Sequence, residues 1–337
     1  MNFSDKNIFS KDNITVEFFY KYTSEFFKLK LLCEEKYGFD NLIKEQTLHR
    51  PQFGLAGFMD LFSSTRIQVF GNTEMRYLTQ LSQKERAESL ERIFKMGIPC
   101  IILMDKNKPT PEMKKFSQKY KVPIFGSDST TTKMMYLIGD FLDDQFALRV
   151  SMHGSFIDVY GVGMLFIGKS GIGKSEVALD LIERGHRLVA DDVVIFTKKG
   201  EGILIGSGTE LVKHFMEVRG IGLIDIKSIF GIRAIRFQKR LEVVIELELW
   251  DEEANYTRTG LDGSTISLCG VDIPHLKVPI VPGKNITVIS EVIALNYLQK
   301  HFGYDAAEVF KKRLDAKLQE KVTGVDRSID YFEHDFE

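Results

Sequence analysis

Residues 162–196, VGMLFIGKSGIGKSEVALDLIERGHRLVADDVVIF, limit what this chain can fold into more than any other stretch. Gly168, Lys169, Ser170, Gly171, Ile172, Gly173, Lys174 and Ser175 spell G-x-x-x-x-G-K-S. Chance can produce those eight residues, so their surroundings decide the reading. The apolar run Met164–Ile167 suits a buried strand feeding the loop, and the amphipathic stretch Glu176–Arg184 continues as a helix. Gly171 and Gly173 allow positive φ, so successive N–H groups can turn inward on an anion. The helix aims its positive N-terminus at the same point. Lys174 can then reach the outer phosphates of a nucleotide, and Ser175 can offer its hydroxyl to Mg²⁺.

One helix further on, Arg187–Ile195 reads RLVADDVVI, an apolar strand interrupted by Asp191 and Asp192. Neighbours on a strand point to opposite faces, so only one acid of the pair can face a given site. Two acids inside an apolar strand are costly to bury without a cation or hydrogen-bond donors, and a metal-bound phosphate beside the loop would supply both. The alternative is a strand that stops at Ala190, with both acids in a solvated turn. The apolar run that resumes at Val193–Phe196 favours the first reading.

Charge and cysteine usage narrow the class. With 45 basic and 47 acidic residues the formal charge is −2, which argues against a general nucleic-acid scaffold. Cys33, Cys100 and Cys269 lack metal-ligand spacing and read as free thiols in a reducing compartment; the histidines form no zinc-like cluster. The N-terminus, MNFSDKNIFSKDN, has no apolar signal core, and no run approaches the roughly 20 apolar residues of a membrane helix. The expectation is a cytoplasmic protein with neither nucleic acid nor membrane as partner. One basic cluster, Lys213, Arg219, Lys227, Arg233, Arg236, Lys239 and Arg240, precedes the acid-rich Glu242–Glu253. It fits a solvated face and a docking surface for an acidic or phosphorylated partner equally well.

The pattern divides the chain near residue 148, into 1–147 and 148–337. In the first portion, ITVEFFYKYTSEFFKLKLLCEE mixes strand and helix periodicities and is left unassigned. Ser82–Met96, Pro111–Tyr120 and Thr130–Asp144 read as helices and Pro99–Met104 and Val122–Phe125 as strands, a small α/β unit without a catalytic constellation. In the second, Ser155–Tyr160 and Met164–Ile167 pair around a Gly161/Gly163 turn, and Leu241–Trp250 alternates like a half-buried strand. Ser290–His301 and Tyr304–Glu320 are helical, and the glycine-rich 200–240 reads as loops of the kind that build sites. The fold class is α/β: a small N-terminal domain followed by a P-loop domain.

Three blocks now carry a resemblance: SMHGSFIDVYGVGMLFIGKSGIGKSEVALDLIERGHRLVADDVV from Ser151, MEVRGIGLIDI at 216–226, and IPHLKVPIVPGKN at 273–285. In this order they resemble HPr kinase/phosphorylase, the bacterial enzyme that phosphorylates a regulatory serine on HPr, the phosphocarrier protein of the sugar phosphotransferase system. The resemblance implies a P-loop kinase domain that uses ATP and Mg²⁺. It also implies a reverse reaction in which inorganic phosphate attacks phosphoserine and releases pyrophosphate, and a homo-oligomer, hexameric in the family.

Residue by residue, His153 matches the family's catalytic histidine, Lys174 and Ser175 keep the phosphate and Mg²⁺ roles of the loop, and Glu217 matches a Mg²⁺ ligand. Asp191 and Asp192 match the acidic pair that handles the serine proton; Asp192 is favoured as the base and Asp191 as support for metal or histidine, although the sequence does not settle their order. Arg258, in Asn255-Tyr256-Thr257-Arg258, matches an arginine suited to the charge of the transferring group. The segment Pro279, Ile280, Val281, Pro282, Gly283, Lys284 matches the phosphorylase loop, with departures. Val281 stands near where the family has an arginine, Lys284 lacks the bidentate fork of arginine, and Lys169 adds a charge to the P-loop. A P-loop kinase or carboxykinase acting on a small metabolite, and a nucleotide-gated binding module, are the competing readings. Paired acids beside a phosphate site argue against the module.

Overall fold

Parallel strands that carry apolar residues on both faces must be covered on both sides, and this requirement organises the larger half of the molecule. The computed structural model describes residues 8–33, 35–200, 202–209, 213–250, 264–281 and 283–322. These form two compact units, Ile8–Arg149 and the residues from Val150 onward.

In the first unit, parallel strands Gln68–Phe70, Ile101–Leu103 and Ile124–Gly126 are flanked by an antiparallel edge, Lys30–Leu31. Helices Gln83–Phe94, Pro111–Tyr120 and Thr131–Phe146 lie within two residues of the expected bounds. Ser82 and Glu85 form the capping box that starts the first of these. The unassigned stretch contains a helix, Val16–Phe27, whose buried residues Val16, Phe19, Thr23 and Phe27 keep helical spacing. Its aromatic-rich sequence suits a strand locally, but the Thr15 hydroxyl accepts from the Phe18 N–H and fixes the helix start. Cys33, Cys100 and Cys269 are free thiols.

The second unit is built on a six-stranded sheet in the order Arg187–Ala190, Ser155–Val159, Val162–Gly168, Val243–Leu249, Val271–Ile280, Thr265–Leu268. Val162–Gly168 runs parallel to Val243–Leu249, which runs parallel to Val271–Ile280. Ser155–Val159 is antiparallel to both of its neighbours, so Arg187–Ala190 points the same way as the P-loop strand. Four strands thus end on one edge, where ligands bind in open α/β sheets. Helices Lys174–Glu183 and Ile286–His301 cover one face, burying Met164, Phe166, Ala178, Leu181, Ile245, Leu247 and Ala294. On the other side Phe156 meets Phe196 edge-on at 5.2 Å, joining the sheet to the antiparallel pair Val193–Lys199 and Ile203–Gly208.

Two expectations change. The stretch 200–240, read as loops, contains the strands Ile203–Gly208, Phe215–Val218 and Gly222–Asp225 and the helix Ile226–Phe230, whereas Val243–Leu249 keeps its alternation, with Val243, Ile245 and Leu247 buried and Glu246 and Glu248 half-buried. Arg187–Ala190 stops at Ala190, so the paired acids lie in a two-residue turn before Val193 and not within a strand. No helix among the described residues is long and apolar enough to cross a membrane.

A charged node ties the second covering helix to the sheet. Glu291 accepts from Arg184 Nε and Nη2 at 3.0 and 2.7 Å, lies 3.1 Å from His186 Nε2 and accepts from the Tyr160 hydroxyl at 3.4 Å. The Arg184 guanidinium, with His186 assisting, holds the Glu291 carboxyl below the usual carboxylate range. Its stabilisation is therefore present above that range and lost as pH falls through the lowered folded value. Glu291→Gln is expected to cost about 1.5–3 kcal/mol at neutral pH. In thermal melts the gap to wild type should narrow on acidification; a gap that widened would contradict this assignment.

Candidate active site

The P-loop leaves the sheet at Gly168 and re-enters regular structure at Lys174, two residues earlier than the apolar pattern indicated. Gly173, with φ of 104°, precedes the helix without a side-chain cap, so the first-turn N–H groups face the loop. The Lys174 ammonium donates to the carbonyls of Gly168 and Lys169 at 3.3 and 3.2 Å, curling over the loop it belongs to. Gly168, Lys169, Ser170, Gly171, Ile172, Gly173, Lys174 and Ser175 thus form one continuous turn around the strand end.

The two acids of the turn have unlike surroundings. Asp191 is 4% exposed and accepts from the Ser155 hydroxyl at 2.5 Å and the Ser175 hydroxyl at 3.1 Å. The backbone N–H groups of Asp192 and Glu217 lie close enough to favour its ionised form. Burial pushes the Asp191 carboxyl above its ordinary range, and these donors oppose the shift without cancelling it. Asp192 is exposed and holds φ of 65°, a left-handed backbone that turns its side chain away from its neighbour's. Its Oδ1 lies 3.6 Å from His153 Nδ1, beyond a hydrogen bond but within range of direct charge interaction. The Gly154 N–H donates to the Asp192 carbonyl at 3.0 Å, fastening the histidine's strand to the turn.

Glu217 stands on a short hairpin, Phe215–Val218 paired with Gly222–Asp225. Met216 and Val218 enter the core, so strand alternation leaves the Glu217 side chain exposed while its N–H lies close to Asp191. Among the described residues no three His, Cys, Asp or Glu side chains gather into a protein-only metal cage. A hydroxyl, a buried carboxylate and a second carboxylate nearby suit a hard cation that takes its remaining oxygens from phosphate and water.

Pro279 and Ile280 close the strand Val271–Ile280, and Asn285 caps the helix beyond it. Gly283 and Lys284 face the P-loop helix across a cleft of about 520 Å³ that Glu176 and Asp180 also line. This loop is therefore beside the first turns of that helix, with acids as well as Lys284 in its cleft. Arg258 and Pro282 lie outside the described residues. The sequence pattern did not single out Ser155, whose only signal was its place two residues after His153, and it named Arg219 only as one member of the basic cluster.

Residues 144–314 match the family described as HPr Serine kinase C-terminal domain, and residues 14–142 match HPr Serine kinase N terminus. The chain belongs to the HPr serine kinase family. A protein of Chloroherpeton thalassium called HPr kinase/phosphorylase is 51% identical over 345 residues, covering 100% of both chains. One of Prosthecochloris aestuarii with the same name is 51% identical over 320 residues, covering 93% of each. Among solved structures, the Hpr(Ser) kinase/phosphatase of Coxiella burnetii is 33% identical over 48% of this chain and 97% of that chain, with a TM-score of 0.43. The family makes this chain an enzyme of the kinase/phosphorylase class, with mixed α/β architecture.

Proposed function

We propose that this chain transfers the γ-phosphoryl group of ATP to a serine hydroxyl of HPr and, in reverse, lets inorganic phosphate remove it. The observation that carries this reading is the division of labour at one sheet edge: Asp191 buried against the P-loop Ser175, Asp192 exposed beside His153. Forward, a lone pair of the serine oxygen forms a bond to the γ-phosphorus. The bond from that phosphorus to the β–γ bridging oxygen breaks, and its electrons leave on ADP. Asp192 takes the serine proton, with His153 holding the carboxylate in place. In reverse, a phosphate oxygen attacks phosphoserine, the serine oxygen leaves and regains a proton from Asp192, and pyrophosphate is the product.

Ser175 and Glu217, backed by Asp191, fit Mg²⁺, which when bound supplies charge neutralisation between the outer phosphates. The P-loop N–H groups and Lys174 hold the phosphates in line, and in such transfers positioning and electrostatics do most of the work. Arg258 and the Pro279–Lys284 loop keep the roles that the resemblance implies, at the transferring group and at free phosphate. The homohexamer belongs to the same reading and is read out by light scattering.

The decisive experiment incubates the chain with γ-labelled ATP, with and without purified HPr. Label on an HPr serine supports the proposal. Label on a small metabolite with no protein acceptor would make this a metabolite kinase, and nucleotide binding without transfer would make it a gated module.

The loop departure gives a separate expectation. Val281→Arg should raise the rate of phosphoserine-HPr dephosphorylation several-fold at limiting phosphate and leave the kinase rate nearly unchanged. Forward transfer uses ATP already held by the P-loop, whereas the reverse direction must capture free phosphate beside Glu176 and Asp180. Equal changes in both directions would remove the loop from the phosphorylase reaction.

A further inference from the structure

Ser155, Asp191 and Ser175 come from three separate elements and meet at one carboxylate. Ser155 opens the strand Ser155–Val159, where it pairs with Phe166 of the P-loop strand, and Phe156 pairs with Ala190. These strands run antiparallel, so the residue after Ala190 stands beside the residue before Phe156, and the register brings Asp191 to Ser155. By alternation Ser155 shares a face with Ile157, which belongs to the same core as Ala178 and Leu181 of the P-loop helix. Ser175 is the second residue of that helix.

Ser155 is fully buried, and a buried hydroxyl without a partner is costly. It donates its single proton to Asp191 Oδ1 at 2.5 Å. The Ser175 hydroxyl donates to the same carboxylate, 3.1 Å from Oδ2 and 3.3 Å from Oδ1. A carboxylate only accepts, so the Ser175 proton points at Asp191 and the lone pairs of its oxygen point away, free to meet a cation. The carboxylate itself turns about a soft terminal torsion. The Ser155 bond at Oδ1 resists that rotation and leaves Oδ2 to Ser175. One residue earlier, the Gly154 N–H donates to the Asp192 carbonyl at 3.0 Å and ties the Ser155 backbone to the acidic turn.

We propose that Ser155 is a positioning residue of the metal site, fixing the Asp191 carboxylate so that the Ser175 hydroxyl turns its lone pairs to Mg²⁺. This rests on the reading of Ser175 as a Mg²⁺ ligand in phosphoryl transfer. Being fully buried, Ser155 touches neither nucleotide nor acceptor and acts only through Asp191. Without its hydroxyl the carboxylate rotates, the Ser175 proton follows whichever oxygen comes near, and the lone pairs lose their fixed direction. The P-loop N–H groups, Lys174 and Asp192 stay in place, so the loss falls on the metal, not on the nucleotide or the serine proton.

The test compares wild type with Ser155→Ala, Ser175→Ala and the double variant, each as the full chain. Mn²⁺ is the probe, followed by the electron paramagnetic resonance signal of the free ion with ADP present, a readout that needs neither turnover nor acceptor. Ser155→Ala should weaken Mn²⁺ binding about tenfold, the lower end for groups that orient metal ligands, while metal-free ADP binds as to wild type. In transfer to HPr, the Mg²⁺ concentration giving half-maximal rate should rise by a similar factor, with the rate at saturating Mg²⁺ nearly unchanged. Ser175→Ala should weaken Mn²⁺ binding as well. Adding Ser155→Ala to it should cost little more, because the hydroxyl that Ser155 orients is gone. Removing one oxygen leaves the strand pairing intact, and melting temperatures are recorded beside binding. Three results would overturn the proposal: wild-type Mn²⁺ affinity in Ser155→Ala even with a lowered melting temperature, a rate loss that saturating Mg²⁺ does not restore, or losses that add in the double variant. A wild-type chain that binds Mn²⁺ with ADP but never labels HPr would refute the choice of acceptor and leave the Ser155 test intact.

Discussion

Lys174→Ala is expected to reduce transfer from ATP to HPr by on the order of 10³-fold while leaving the melting temperature close to wild type. The side chain is partly exposed and its described hydrogen bonds go only to the loop carbonyls of Gly168 and Lys169, so its removal opens no core cavity. What it removes is the charge that can follow the γ-phosphate as negative charge redistributes toward ADP. Lysine to alanine also leaves the loop glycines and the helix N-terminus in place, so nucleotide binding should survive better than turnover. A folded Lys174→Ala protein with near wild-type turnover would end the P-loop assignment.

Asp192→Asn should lower both directions by about 10²–10⁴-fold, because one group takes and returns the serine proton. The substitution is nearly isosteric and the side chain is exposed, so stability should hold. Asp191→Asn is a different experiment. The Asp191 carboxylate accepts from Ser155 and from Ser175, and an amide cannot accept both in the same way. Its loss should appear as a raised Mg²⁺ requirement together with lower stability. Titrating Mg²⁺ into both variants separates the roles. Recovery of Asp192→Asn but not of Asp191→Asn would mean that the two are reversed.

The difference between these neighbours shows how far the residues alone could be read. That an acidic pair stood beside the P-loop was legible, because carboxylates in an apolar run are too costly to be incidental. That the strand stops at Ala190 was not, since the apolar residues resume at Val193 and a period-2 pattern cannot show a two-residue turn. The left-handed backbone at Asp192 that sends one acid inward and the other outward belongs to no local pattern. The alternation of Val243–Leu249 was legible, with Val243, Ile245 and Leu247 buried and Glu246 and Glu248 half-buried; the burial of Val244 on the other face was not.

The sequence by itself determined the features that depend on near neighbours along the chain. The strand–loop–helix at 162–183, the capped helices of the first unit and the family are all written in contiguous residues, whose local conformations depend on spacing and on glycine. Only the tertiary structure decided which distant residues meet. The Ser155 hydroxyl at Asp191, the Ser175 hydroxyl on the same carboxylate and the Arg219 guanidinium across Gly171 join segments separated by 36, 16 and 48 positions. These contacts arise because four strands running the same way must end on one edge, and a hairpin whose alternate residues enter the core can present its turn only at that edge.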